Sequence, residues 1–112
     1  MGYYSDVAIR LWKNDAHDFI NKYKDWVAPE TIYDLKDGSI VIEFDFIKWY
    51  GPTIDEINDW LQQRDFATII IGENIGDIEF DDNCEELRDG FWPVTTIDID
   101  VPDYIVIDVK DL

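Results

Sequence analysis

The sequence predicts an α+β fold: a ferredoxin-like (split βαβ) antiparallel sheet with two helices on one face, followed by an acidic C-terminal strand extension. Three observations predict it. Patterned segments follow the order strand, helix, strand, strand, helix, strand over residues 1–72. Hydrophobic residues make up 46% and aromatics 15% of the 112 residues, which excludes a disordered acidic chain and supplies a core. Beyond residue 72, acids alternate with apolar residues in short, strand-like runs. Residues 1–112 therefore read as one domain, with a βαββαβ core at 1–72 and an acidic β-rich extension at 73–112.

The elements justify themselves in order. Residues 7–12 are a short apolar run of strand type. Asn14 is placed to cap the helix that follows, with Asp15 and Asp18 near its positive end. Ala16, Phe19, Ile20, Tyr23 and Val27 recur at helical spacing as one buried stripe, and Pro29 stops the helix. Strands at 31–35 and 39–49 flank Lys36-Asp37-Gly38, whose Asp-Gly pair favours a tight hairpin. In the second arm Ile40, Ile42, Phe44 and Phe46 share one face by period two. Pro52 and Thr53 open a second helix, and Thr53-Ile54-Asp55-Glu56 matches a capping box. Ile54, Ile57 and Leu61 form its inner stripe, with Trp60 at the margin. Residues 66–71 are almost wholly apolar and too short for a helix, so they read as a covered strand. Gly72-Glu73-Asn74-Ile75-Gly76 reads as a hairpin connection rather than a phosphate loop. Strand-like segments follow at 77–80, 95–101 and 104–109, with a turn or short helix over 81–89.

Charge is the dominant compositional fact. The 26 acids and nine bases give a formal net charge of -17. Residues 1–56 carry 11 acids and six bases, whereas residues 57–112 carry 15 and three. This balance argues against direct binding to nucleic acid or to an anionic membrane, which bear the same sign. Asp77-Ile78-Glu79-Phe80-Asp81 and Ile97-Asp98-Ile99-Asp100-Val101 each predict a strand with one buried face and one carboxylate face. Same-face carboxylates then repeat about every 6.8 Å, close to the spacing of phosphates along a nucleic-acid strand. Asp81, Asp82, Glu85, Glu86 and Asp89 crowd the stretch between, with Arg88 to balance them. The plain alternative is a solvated surface that aids solubility and guards sheet edges. A small domain is soluble at a net charge of about 2–8, so -17 favours a specific cation-rich partner.

Catalytic chemistry finds little support. His17, the one histidine, has no serine or cysteine near it in sequence, and Cys84 sits among acids that disfavour its thiolate. A single cysteine excludes an internal disulfide and a multi-cysteine metal site. An EF-hand loop counted from Asp77 would need Gly at its sixth position and Glu at its twelfth, where Asp82 and Arg88 stand. The expectation is a protein with no enzymatic activity, no catalytic residues, no metal and no cofactor. Among the aromatics, Trp49, Tyr50 and Trp92 sit at element ends beside Gly or Pro turns and are expected to be exposed at an interface. The expected partner-binding set is Asp77, Glu79, Asp81, Asp82, Glu85, Glu86, Asp98 and Asp100, with Trp49, Tyr50 and Trp92.

The opening Met1-Gly2-Tyr3-Tyr4-Ser5-Asp6-Val7-Ala8-Ile9 resembles the start of small uncharacterised bacteriophage and prophage proteins. Ile47-Lys48-Trp49-Tyr50, Ile70-Ile71-Gly72-Glu73 and Gly76-Asp77-Ile78-Glu79 are similar to later blocks in that group. The resemblance covers pieces of the first three-quarters of the chain. It implies phage origin and the host bacterial cytoplasm, and it offers no catalytic residues to carry over. No run of about 18 apolar residues is present, and residues 1–10 lack a signal-peptide pattern, in keeping with that compartment. The function expected is a DNA mimic, of anti-restriction or anti-CRISPR type. It would inhibit a basic nucleic-acid-binding host protein such as a nuclease or CRISPR effector. The alternatives are an immunity protein neutralising one cognate toxin nuclease, and a structural phage protein that forms a homodimer or larger oligomer.

Overall fold

The computed structural model describes residues 4–23, 25–26, 29–72, 78–89, 91–93, 97–99 and 104–108. The fold is α+β. In chain order the elements are β1 (Ser5–Trp12), α1 (Lys13–Tyr23), β2 (Thr31–Leu35), β3 (Ser39–Ile47), α2 (Pro52–Gln62), β4 (Phe66–Ile71), β5 (Ile78–Asp82), α3 (Glu85–Arg88), β6 (Phe91–Pro93), β7 (Ile97–Ile99) and β8 (Tyr104–Ile107). Six strands form one sheet in the order β5-β4-β1-β3-β2-β8, with every neighbouring pair antiparallel. β6 and β7 pair antiparallel as a second, two-stranded sheet.

β1 lies inside the sheet and is apolar on both faces, which explains its nearly unbroken hydrophobic run. Val7, Ile9 and Leu11 face one side, where they pack with Ile40, Ile42 and Phe44 under Phe19 and Ile20 of α1 and Ile57 and Leu61 of α2. Ala8 faces the other side with Val41, Ala67 and Ile69, packed together with Leu87 of α3. The sheet is thus covered by two long helices on one face and by the short acidic helix on the other.

Arg10 is the exception in the apolar run 7–12 of that strand. It is 2% exposed and points to the α3 side of the sheet. Its Nε donates to Ser39 Oγ at 3.1 Å, and its Nη1 donates to the backbone carbonyls of Leu87 at 3.0 Å and Asp89 at 2.8 Å. Its Nη2 meets Asp37 Oδ2 at 2.6 Å. One buried guanidinium therefore ties the end of α3 to the β2–β3 hairpin. Burial would raise the Asp37 pKa, but hydrogen bonds from Ser39 and the Arg10 charge outweigh it and hold the carboxyl below its ordinary value. The hairpin itself needs Gly38, which sits at φ +91°.

Local structure departs from expectation at several points, each for a physical reason. α1 starts at Lys13, directly after β1, so Asn14 lies inside the first turn rather than capping it. The Lys13 amide instead donates to the Gly38 carbonyl at 3.0 Å. The helix stops at Tyr23, and the chain turns so that Trp26 packs on Phe44 and Trp49 at ring distances of 5.7 and 6.0 Å. Val27 lies outside the described residues. α2 has no side-chain cap: Gly51, at φ 101°, occupies the N-cap and Pro52 the first turn, so the Thr53 capping box does not form. β3 ends at Ile47 and carries a bulge opposite Asp6, where the register with β1 shifts. Phe46 sits at that bulge with φ 54° and is 69% exposed, so it does not continue the face of Ile40, Ile42 and Phe44. Its amide donates to Asp6 Oδ1 at 2.9 Å and its ring stacks on Tyr4 at 4.2 Å.

Candidate functional site

β5 is the outer strand of the six-stranded sheet, joined to β4 by register pairs from Ile71↔Ile78 to Ala67↔Asp82. Alternation along it sends Glu79 and Asp81 to the face that carries α2, and Ile78, Phe80 and Asp82 to the face that carries α3. The acidic side is as expected, but the apolar side is not buried. Ile78 is 38% and Phe80 54% exposed, because among the described residues β5 has a strand neighbour on one edge only and extends past the apolar cover of the sheet centre.

Between α2 and the β4–β5 pair runs an open groove of about 580 Å³. Asp55 and Asn58 of α2 line one wall, Glu79 and Asp81 the other, and Thr68 and Ile70 lie on its floor. Trp49 and Tyr50 line one end. Trp49 is half-buried and held against Trp26, whereas Tyr50 is 52% exposed. Asp81 is positioned from two sides. Its carbonyl accepts from Thr68 Oγ1 at 3.2 Å, and its carboxylate accepts from Gln62 Nε2 at 3.4 Å. Just beyond β5, Asn83 bonds the Phe66 amide through Oδ1 at 2.9 Å and the Arg64 carbonyl through Nδ2, pinning the turn into α3.

On the other side of this edge, Arg88 reaches three carboxylates: Asp82 at 4.0 Å, Glu85 at 3.5 Å and Asp89 at 3.8 Å. Glu85 and Glu86 are exposed on α3. The sequence-derived set therefore divides. Glu79, Asp81, Trp49 and Tyr50 come together at the groove, while Asp82, Glu85 and Glu86 gather around the β5–α3 turn. Asp98 and Trp92 belong to β7 and β6, described by their backbone alone, and Asp77 and Asp100 lie outside the described residues.

Sequence reasoning missed Asp55, although Pro52 at the first turn already sets the helix frame from which its outward position follows. It also missed a carboxylate cluster at the bulge. Burial first, then repulsion from Asp45, Asp6 and Glu30, raises the Glu43 pKa to about 7, and protonated Glu43 donates to Asp45. That cluster joins β1, β3 and the residue before β2, so no single segment announces it.

The arrangement suits recognition of cations: carboxylates line both walls of a concave surface with two aromatic residues at one end, a combination that holds guanidinium or ammonium groups. His17 is exposed on α1 beside Asp18 and Asn21, and Cys84 packs against the α3-side core. Among the described residues, no group of three or more His, Cys, Asp or Glu is placed to hold a metal ion. Among the same residues, no helix is long and apolar enough to cross a membrane. Compared with protein-family models, characterised proteins and solved structures, the chain finds no match in any of the three.

Proposed function

We propose that the protein is a non-enzymatic inhibitor that presents its β5–α3 edge and the adjoining α2 groove to the basic cleft of a nucleic-acid-binding host protein. In this reading it is a phage-type nucleic-acid mimic acting in the host cytoplasm, and a nuclease or a CRISPR effector is the kind of target it blocks. The observation that carries the reading is the segment 78–89. It holds six acids against the single base Arg88, and Glu79, Asp81, Glu85 and Glu86 all stand exposed along one edge of the molecule. Like charges this close destabilise the fold that bears them, and a solubility role calls for far less charge. The β4-β1-β3-β2 order, with α1 between β1 and β2 and α2 between β3 and β4, supports a ferredoxin-like reading of the first six elements. That unit is the scaffold and the acidic segment is the working edge.

The test is displacement of labelled DNA from a panel of bacterial nucleases and CRISPR effectors, measured at low and moderate salt. Inhibition of at least one member is expected, with association slowing steeply as salt rises. Reversing Asp81, Asp82, Glu85 and Glu86 to Lys is expected to abolish it. Inhibition that survives this reversal overturns the assignment of the surface.

A further inference from the structure

We infer that the partner engages this protein by strand addition, laying an extended segment of alternating basic and apolar residues along the outer edge of β5. The inference rests on the inhibitor reading and specifies how its acidic edge is used. Two independent features of β5 point to it. Its α2 side offers Glu79 and Asp81 beside the aromatic-ended groove, and its α3 side offers exposed Ile78 and Phe80. Protection against aggregation accounts for charges on an edge strand and leaves these two apolar side chains unexplained. A strand whose own side chains alternate in the complementary sense accounts for both.

The geometry is that of an ordinary antiparallel or parallel pair. Directly opposed residues on neighbouring strands bring their Cβ atoms to about 5 Å, within ion-pair reach for an arginine or lysine facing Glu79 or Asp81. A guanidinium at that position overhangs the groove, where Asp55 supplies a further carboxylate and Trp49 and Tyr50 line one end. The intervening residues of the added strand fall on the other face and cover Ile78 and Phe80. Charge excludes the other obvious occupant. A second copy pairing β5 with β5 would set Glu79 and Asp81 against their own kind, and opposed like charges destabilise a sheet.

The test uses the whole protein and capped eight-residue synthetic peptides, with binding followed by calorimetry and by amide hydrogen exchange of residues 78–82. The first peptide alternates arginine with valine. The second has the same composition in two blocks, and the third is the alternating peptide with backbone N-methyl groups on every second residue. The alternating peptide is expected to bind about tenfold tighter than either control, a difference of about 1.4 kcal/mol. It is also expected to protect β5 amides that do not bond to β4. The double variant Glu79→Gln, Asp81→Asn is expected to lose about fivefold in affinity for the alternating peptide, as two exposed ion pairs would give.

Equal binding of all three peptides, or no added protection in β5, overturns strand addition and assigns the attraction to diffuse charge. A stable homodimer that protects β5 in the absence of peptide overturns it as well. The two proposals fail separately. Displacement of DNA from a target without peptide selectivity leaves the inhibitor standing and removes strand addition. Peptide selectivity without any displaced DNA does the reverse.

Discussion

Replacing Arg10 by methionine is expected to destabilise the protein by about 3 kcal/mol. Methionine fills most of the space of the arginine stem, so the change isolates the guanidinium rather than opening a cavity. The guanidinium donates to Ser39, to two carbonyls at the end of α3 and to Asp37, all within 3.1 Å. Breaking a buried ion pair costs about 3–5 kcal/mol, and an orphaned buried carbonyl about 1–3. The lower end applies because the Asp37 side chain is 44% exposed and regains water. At roughly 4 °C per kcal/mol for a chain of this length, Tm is expected to fall by about 12 °C. Urea unfolding followed by tryptophan fluorescence gives the free energy, and hydrogen exchange at residues 85–89 shows whether α3 loosens first. The ion-pair part has a definite pH sense. A carboxyl whose folded pKa is depressed contributes stability above its unfolded pKa and loses it as pH falls through the folded value. The gap between parent and variant is therefore expected to narrow below about pH 4, as Asp37 becomes protonated. A loss smaller than about 1 kcal/mol, with α3 exchange unchanged, would refute the idea that Arg10 fastens the acidic segment to the sheet.

Substitutions at two further positions test other parts of the structure. Glu43→Gln is expected to leave stability near the parent's at pH 5 and to raise it by about 1–2 kcal/mol at pH 8. The reason is that a carboxyl raised to about 7 in the fold favours folding when protonated and loses that contribution as pH climbs from its unfolded value to 7. Thermal melts at the two pH values decide it, and an equal offset at both contradicts the cluster. At Phe46, leucine keeps the positive φ and loses the Tyr4 stack, whereas glycine loses the stack and relieves the backbone by about 1 kcal/mol. Glycine is therefore expected to melt above leucine, and the reverse order counts against backbone strain at the bulge.

Much of the framework was legible because it depends on short-range pattern. Residues 31–35 and 66–71 are strands with the bounds their apolar runs suggest, and Ile54, Ile57 and Leu61 are the buried stripe of α2. What escaped was decided at long range or by backbone geometry. Asn14 has the right chemistry for a cap, but the Gly38 carbonyl takes the Lys13 amide and the helix starts earlier. Thr53 loses its capping role because Gly51 adopts a conformation open to glycine and Pro52 begins the helix. Phe46 fits a period of two until a bulge breaks the period. Arg10 reads as a polar interruption in a strand, since its partners lie 27 to 79 residues further on. At the site, the acidic alternation of 77–81 pointed to an outward carboxylate face, which Glu79 and Asp81 form among the described residues, and only the sheet order reveals that the apolar face of that strand is exposed too.

The two outermost strands, β5 and β8, both come from the last third of the chain and sit at opposite ends of the sheet. A polypeptide emerging from the ribosome therefore completes its four middle strands, with 13 acids and seven bases in residues 1–71, before the 13 acids and two bases of residues 72–112 add most of its net negative charge. Electrostatic self-repulsion then falls more heavily on the late docking steps, while the apolar centre collapses against a net charge of -6 rather than -17. Salt is accordingly expected to alter how fast the finished molecule closes far more than whether its nucleus forms.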